Sequence, residues 1–159
     1  MATRSTIALE FADGTVGQVY AHWDGYLSHN GKILLENYSD PFKLQKLIDL
    51  GGLSTLGPDI GEAHSFDNPF NYGTKEWENW SQAKKKVCTF YGRDRGETGV
   101  DAVYFNDFEH YVKNHQYEEY EYILRTDGKW YVNQGNGYEL LEDAYVEMLR
   151  QQHEEQETA

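Results

Sequence analysis

Ser5-Thr-Ile-Ala-Leu-Glu-Phe-Ala-Asp-Gly-Thr-Val-Gly-Gln-Val-Tyr-Ala-His22 reads as a β-hairpin. Ile7, Leu9 and Phe11 recur at every second position, the spacing of one strand face. Asp13-Gly14 is the strongest signal for a two-residue hairpin turn, because both residues adopt the backbone such turns require. Thr15–His22 then returns as the second strand. A second Asp-Gly pair, Asp127-Gly128, sits between Glu118-Glu-Tyr-Glu-Tyr-Ile-Leu-Arg125 and Trp130-Tyr-Val-Asn133 and repeats the pattern. A further strand is expected near 86–91, where Val87-Cys-Thr-Phe-Tyr91 is apolar at alternate positions.

Helices fill the intervals. Lys32–Tyr38 follows the Asn30-Gly31 turn, giving a short helix over 31–38. Ser39-Asp40-Pro41 is a helix start, with a capping oxygen and proline in the first turn. Phe42, Leu44, Leu47, Ile48 and Leu50 form the packing face of the helix over 41–50, and Gly51-Gly52 stops it. A third helix spans 106–115, capped by Asn106 or Asp107, with Phe108, Tyr111 and Val112 inward. A terminal helix spans 138–152, with Leu141, Ala144, Tyr145, Met148 and Leu149 inward. The expected class is α+β: an antiparallel sheet from two hairpins, 5–22 and 118–133, plus the strand near 86–91, packed with three to four helices. Residues 1–150 form one domain, and 151–159 form a frayed acidic tail.

The chemically able groups concentrate at Tyr20-Ala-His-Trp-Asp-Gly-Tyr26, where the first hairpin ends. His22 stands at a strand end beside Asp24, either as a displayed functional imidazole or as a hydrogen-bonded sheet-edge residue. Residues 51–85 carry Gly57-Pro58, Gly61, Asn68-Pro69 and Gly73, so they read as an irregular excursion, either packed or ligand-binding. Lys84-Lys85-Lys86 is a basic run of the kind that keeps a strand edge solvated; a phosphate is its alternative partner. Arg93 and Arg95 flank Asp94 between glycines. They can fork onto a carboxylate or phosphate, or pair internally with Asp94, Glu97 or Asp24. His110 and His115 are five residues apart, which does not match the four-residue spacing of a helical metal pair. No metal or cofactor is expected.

Length and composition suit one domain with a real core. Thirteen tyrosines among 159 residues are too many aromatics for a disordered chain, despite a net charge of −13. Cys88 is the only cysteine, which excludes an intrachain disulfide and favours a reducing compartment. Met1-Ala-Thr-Arg-Ser-Thr6 has no apolar signal core, and no run is long enough to span a membrane, so a cytoplasmic protein is expected. The charge is uneven. Residues 1–96 hold 12 acidic against 10 basic residues, whereas 97–159 hold 15 against 4. The C-terminal part repels phosphates, so no direct nucleic-acid binding is expected; it attracts a basic protein surface or simply keeps the chain soluble.

Thr3-Arg-Ser-Thr-Ile-Ala8, Tyr20–Tyr26, Asn30-Gly31 and Thr89-Phe-Tyr-Gly-Arg-Asp-Arg-Gly-Glu97 resemble a family of small bacteriophage and prophage proteins of uncharacterised activity. The resemblance implies an accessory protein made inside a bacterial host cell. By analogy with small acidic phage proteins, it implies an inhibitor of a host defence or nucleic-acid-handling protein.

Three functions follow for testing. The first is an acidic inhibitor docking on a basic host surface through Glu118, Glu119, Glu121, Glu139, Glu142, Asp143 and Glu147, with a homodimer as a further assembly. The second is a phosphate or nucleotide site, with Arg93 and Arg95 on the phosphate and Trp23 or Tyr26 stacked on a base. The third is a phosphoester hydrolase with His22 as general acid/base oriented by Asp24, which requires the third strand to lie beside the second.

Overall fold

The computed structural model describes residues 2–115 and 117–158, with side chains described as far as Gln156. In chain order the elements are β1 (Ser5–Glu10), β2 (Val16–Ala21), a π-helical turn (Leu27–Gly31), α1 (Lys32–Asn37), α2 (Pro41–Asp49), β3 (Leu53–Thr55) and α3 (Lys75–Lys84). There follow β4 (Thr89–Phe90), α4 (Tyr91–Arg95), β5 (Val103–Phe105), α5 (Phe108–Asn114), β6 (Tyr120–Leu124), β7 (Trp130–Asn133), β8 (Tyr138–Leu140) and α6 (Leu141–Thr158). The class is α+β, one mixed sheet with helices on both faces.

Both hairpins are antiparallel, Ser5 opposite Ala21 and Glu121 opposite Asn133. Each turn is one residue longer than a bare Asp-Gly pair. Phe11 N donates to Thr15 O at 2.8 Å and Arg125 N donates to Lys129 O at 3.1 Å, closing three-residue loops. In each, the glycine takes positive φ, 93° at Gly14 and 79° at Gly128, and the aspartate accepts the amide two residues on. The hairpins meet through β1 and β6, which run parallel, so the sheet is mixed rather than antiparallel throughout. The strand order is β4-β3-β2-β1-β6-β7-β8, with β5 paired to the start of β2.

One face of the sheet carries Ile7, Leu9, Val19, Ala21, Tyr122, Leu124 and Val132 under α1, α2 and α6, where Leu34, Leu44, Leu47, Ile48 and Leu141 complete the main core. Asp40 caps α2 through the Phe42 amide at 2.9 Å, and Pro41 opens it. Phe42 is not part of this packing. It is 75% exposed, because it falls on the outward side of the first turn. Leu149 is likewise exposed, and residues 151–158 continue α6 rather than fraying. Residues 138–140, expected as the start of that helix, pair with β7 instead. Ala159 lies outside the described residues.

The opposite face is smaller and partly polar. Ala8, Val16, Phe105, Tyr111 and Ile123 form its apolar part beneath α5, which Asp107 caps through the His110 amide at 2.7 Å. Beside them His115 and Glu121 are both buried, with Nε2 and Oε2 2.6 Å apart. His115 Nδ1 faces the Tyr111 carbonyl and thus donates, so the contact with Glu121 must itself hold one proton, on the ring or on the carboxyl. The other Glu121 oxygen accepts from Asn133 at 2.9 Å. Glu121 therefore ties α5 to β6 and β7 and is not a surface carboxylate, which corrects its expected place in a partner-binding patch.

This pair yields a stability prediction. Glu121→Ala strands the buried His115 ring without its partner, and denaturant unfolding should show a loss of about 3–5 kcal/mol. A loss below ~1 kcal/mol would mean the contact contributes no more than a surface pair does.

Candidate functional site

The corner Tyr20–Tyr26 is built by close approach. Beyond β2 the chain stays paired: His22 N donates to Leu53 O at 3.1 Å and Trp23 N to Ser54 O at 3.0 Å. Asp24 then takes a φ of 57°, the only positive value among the described non-glycine residues, and Asp is one of the few side chains that tolerates it. Gly25 passes so close to the N-terminal strand that a Cβ would lie 2.8 Å from both Thr3 O and Ser5 Cβ. Its carbonyl accepts from the buried Tyr122 hydroxyl at 2.6 Å, and its amide donates to Thr3 O at 2.8 Å. The following π-helical turn, an arrangement often found at functional sites, presents His29.

His29 was not singled out in the sequence; its ring is held by Asn30. Asn30 Nδ2 faces the Trp23 carbonyl and Ser5 Oγ, which places Asn30 Oδ1 toward His29 Nδ1 at 2.9 Å. Nδ1 therefore donates, and in the neutral ring Nε2 is left as an acceptor. The adjacent His29-Asn30-Gly31 triplet was the available signal, but it read as an ordinary turn.

A cavity of about 360 Å³ opens between this corner and α3, lined in part by Asp24, His29, Thr55, Trp80, Ser81 and Lys84. Thr74 caps α3 through the Trp77 amide at 3.2 Å, and Glu76 and Glu78 occupy its first turn, where acids favour a helix start. Asn68 fixes the far wall by donating to Trp77 O at 2.9 Å and Ser81 Oγ at 3.0 Å. Lys84 donates to Phe66 O at 2.8 Å, and its ammonium lies 5.1 Å from the Trp80 ring centre. Burial lowers its pKa, against the opposing pull of Asp67 and Asp94.

The expected catalytic pair is not assembled. His22 Nδ1 bonds the Tyr20 hydroxyl at 2.6 Å, while Asp24 accepts from the Tyr26 hydroxyl at 3.1 Å; no hydrogen bond joins His22 to Asp24 among the described residues. Nor does the strand at Thr89–Phe90 lie beside β2, because β3 is inserted between them. The arginines are separated from the corner in consequence.

Arg93 spends all five of its N–H groups internally. They reach Asp94 Oδ1 and Oδ2 at 3.0 and 3.2 Å, Ile60 O at 3.2 Å, Gly61 O at 2.8 Å and Cys88 O at 3.0 Å. Asp94 also accepts the amides of His64 and Phe90, at 3.0 and 2.8 Å. Arg95 pairs with Glu97 at 3.2 Å and stacks on Phe66. Trp23 and Tyr26 are exposed, but Tyr26 faces a different cavity, with Glu139 and Glu147. Arg93 is thus a structural tie rather than a phosphate ligand.

The remaining acidic candidates lie at the C-terminal end of the chain. Glu119, Glu139, Glu142, Asp143 and Glu147 are exposed. Glu147 pairs with Arg150 at 3.3 Å; among the described residues no cation lies within 4.0 Å of Glu139, Glu142 or Asp143. Glu118 is half-buried, and burial raises its pKa against the lowering effect of Arg4. No group of three or more metal-ligating side chains occurs among the described residues, and no described helix is long and apolar enough to cross a membrane.

The Asp94 tie predicts a pH dependence. Burial alone would raise the carboxyl, but hydrogen bonds from Arg93, Phe90 N and His64 N, with the Arg93 charge, bring it below its ordinary 3.8. A depressed folded-state value stabilises the protein above pH ~4, and that contribution is lost as pH falls through the folded value. Asp94→Ala should cost about 3–5 kcal/mol at neutral pH, with a shallower decline of stability below pH ~4. An unchanged acid limb would contradict the tie.

The chain matches no protein-family model, no curated protein and no solved structure.

Proposed function

We propose that the chain acts by binding, as an acidic inhibitor that docks on the basic surface of a host defence or nucleic-acid-handling protein. The observation that carries this is the outer face of β8 and the first turns of α6, where Glu139, Glu142 and Asp143 are exposed without an ion-pair partner among the described residues. Two of the protein's arginines are committed elsewhere. Arg125 grips Glu10 at 3.2 Å and stacks 3.6 Å above Phe108, and Arg93 is consumed by Asp94 and three carbonyls. A patch of uncompensated carboxylates steers a positive partner and disfavours nucleic acid. The resemblance to small phage proteins supports placing that partner in a bacterial cell. A phosphoester hydrolase centred on His22 is the weaker reading, since Asp24 does not orient that ring, which bonds Tyr20 instead.

The test is affinity capture from host lysate with the wild-type chain and with Glu139→Gln/Glu142→Gln/Asp143→Asn. A partner retained at low salt should be released as salt shortens the screening length below ~8 Å, and the neutralised variant should recover it poorly even at low salt. Equal recovery by both proteins, or retention independent of salt, would count against the acidic face.

A further inference from the structure

The cavity between the corner and α3 lies outside the acidic face, and its lining is arranged by charge. On the corner wall, Asp24 contributes a carboxylate and His29 an acceptor nitrogen whose tautomer Asn30 sets. On the opposite wall stand Lys84 and Lys85, with the Asp67 carboxylate also in the lining and Asp94 acting on Lys84 from behind it. Lys84 donates to one carbonyl, Phe66 O, which leaves further ammonium protons for another acceptor. Ser81 accepts from Asn68 and keeps its own hydroxyl proton to offer. Leu56, Val87 and the Trp80 ring supply apolar surface between the two walls.

We infer that this cavity binds a small zwitterion, a free α-amino acid, with its ammonium against Asp24 and His29 and its carboxylate against Lys84 and Ser81. A simple anion would satisfy the lysines but face Asp24 and Asp67. A simple cation would satisfy the aspartates but face the lysines. A molecule with both charges a few ångströms apart meets neither conflict. The volume of about 360 Å³ is at the small end of ligand sites, which suits a metabolite of this size rather than a nucleotide. The local backbone supports a built site as well. The left-handed Asp24 and the π-helical turn are costly features, and both border this one cavity.

Isothermal titration of the full chain with individual free L-amino acids, their N-acetyl and amide derivatives, and inorganic phosphate tests this assignment. At least one free amino acid should bind at ~1 mM or tighter. Removing either ligand charge should weaken it about tenfold or more, because the half-buried group that met it is then left unpaired. Asp24→Asn should weaken binding comparably while melting like the wild type, since Asn adopts the left-handed conformation as readily as Asp. Absence of binding by every free amino acid would overturn the inference. So would equal binding of an N-acetylated form, stronger binding of phosphate, or full affinity in Asp24→Asn.

Discussion

The contact between Arg93 and Asp94 holds the least regular stretch of the molecule in place. Between them the two side chains engage three carbonyls and two amides drawn from residues 60–64 and 88–90. Residues 56–74 contain no helix or strand, so their backbone groups have few partners of their own. A guanidinium with five fixed donors and a carboxylate with two acceptors are the economical way to satisfy several such groups at one point. Further contacts extend from it: His64 Nε2 lies 3.0 Å from Cys88 O, and the Cys88 sulfur receives the Gly57 amide at 3.4 Å.

That anchoring determines what the rest of the surface can do. With residues 60–68 fixed to β4, Asn68 can hold α3, and α3 can stand opposite the corner to enclose a cavity. With Arg125 committed to Glu10 and Lys113 to Glu109, the C-terminal part has little cationic charge to offset its carboxylates. Internal ties therefore underlie both the polar cavity and the acidic face.

The hairpins and the helices at 32–37, 41–49 and 108–114 were legible because their signals are local: alternation, Asp-Gly turns, and Asp40 or Asp107 ahead of an apolar run. What was not legible depends on distant residues. The parallel pairing of β1 with β6 joins strands more than a hundred residues apart. The insertion of β3 beside β2 rests on a short pairing, Ala21 with Leu53 and the amides of His22 and Trp23 on Leu53 and Ser54. The helix at 75–84 buries no residue fully, so it lacks the apolar stripe that reveals a helix, although Thr74 was a readable cap. Glu121 looked like one more surface acid in Glu118-Glu-Tyr-Glu-Tyr122. Its strand is covered on both faces, and only α5 above it shows that His115 waits there. Arg93 between its glycines leaves two roles open by sequence; the carbonyls it bonds come from residues 60, 61 and 88.

The most direct test of the anchoring is native-state hydrogen exchange at neutral pH, read at the His64 and Phe90 amides. If the Arg93–Asp94 contact fixes the excursion to the sheet, both amides exchange as slowly as those of the β1–β2 hairpin and respond together to denaturant. If His64 instead exchanges at the rate of the exposed turn near Tyr72 and Gly73 while Phe90 stays protected, the excursion opens independently. The cavity wall would then have no fixed support.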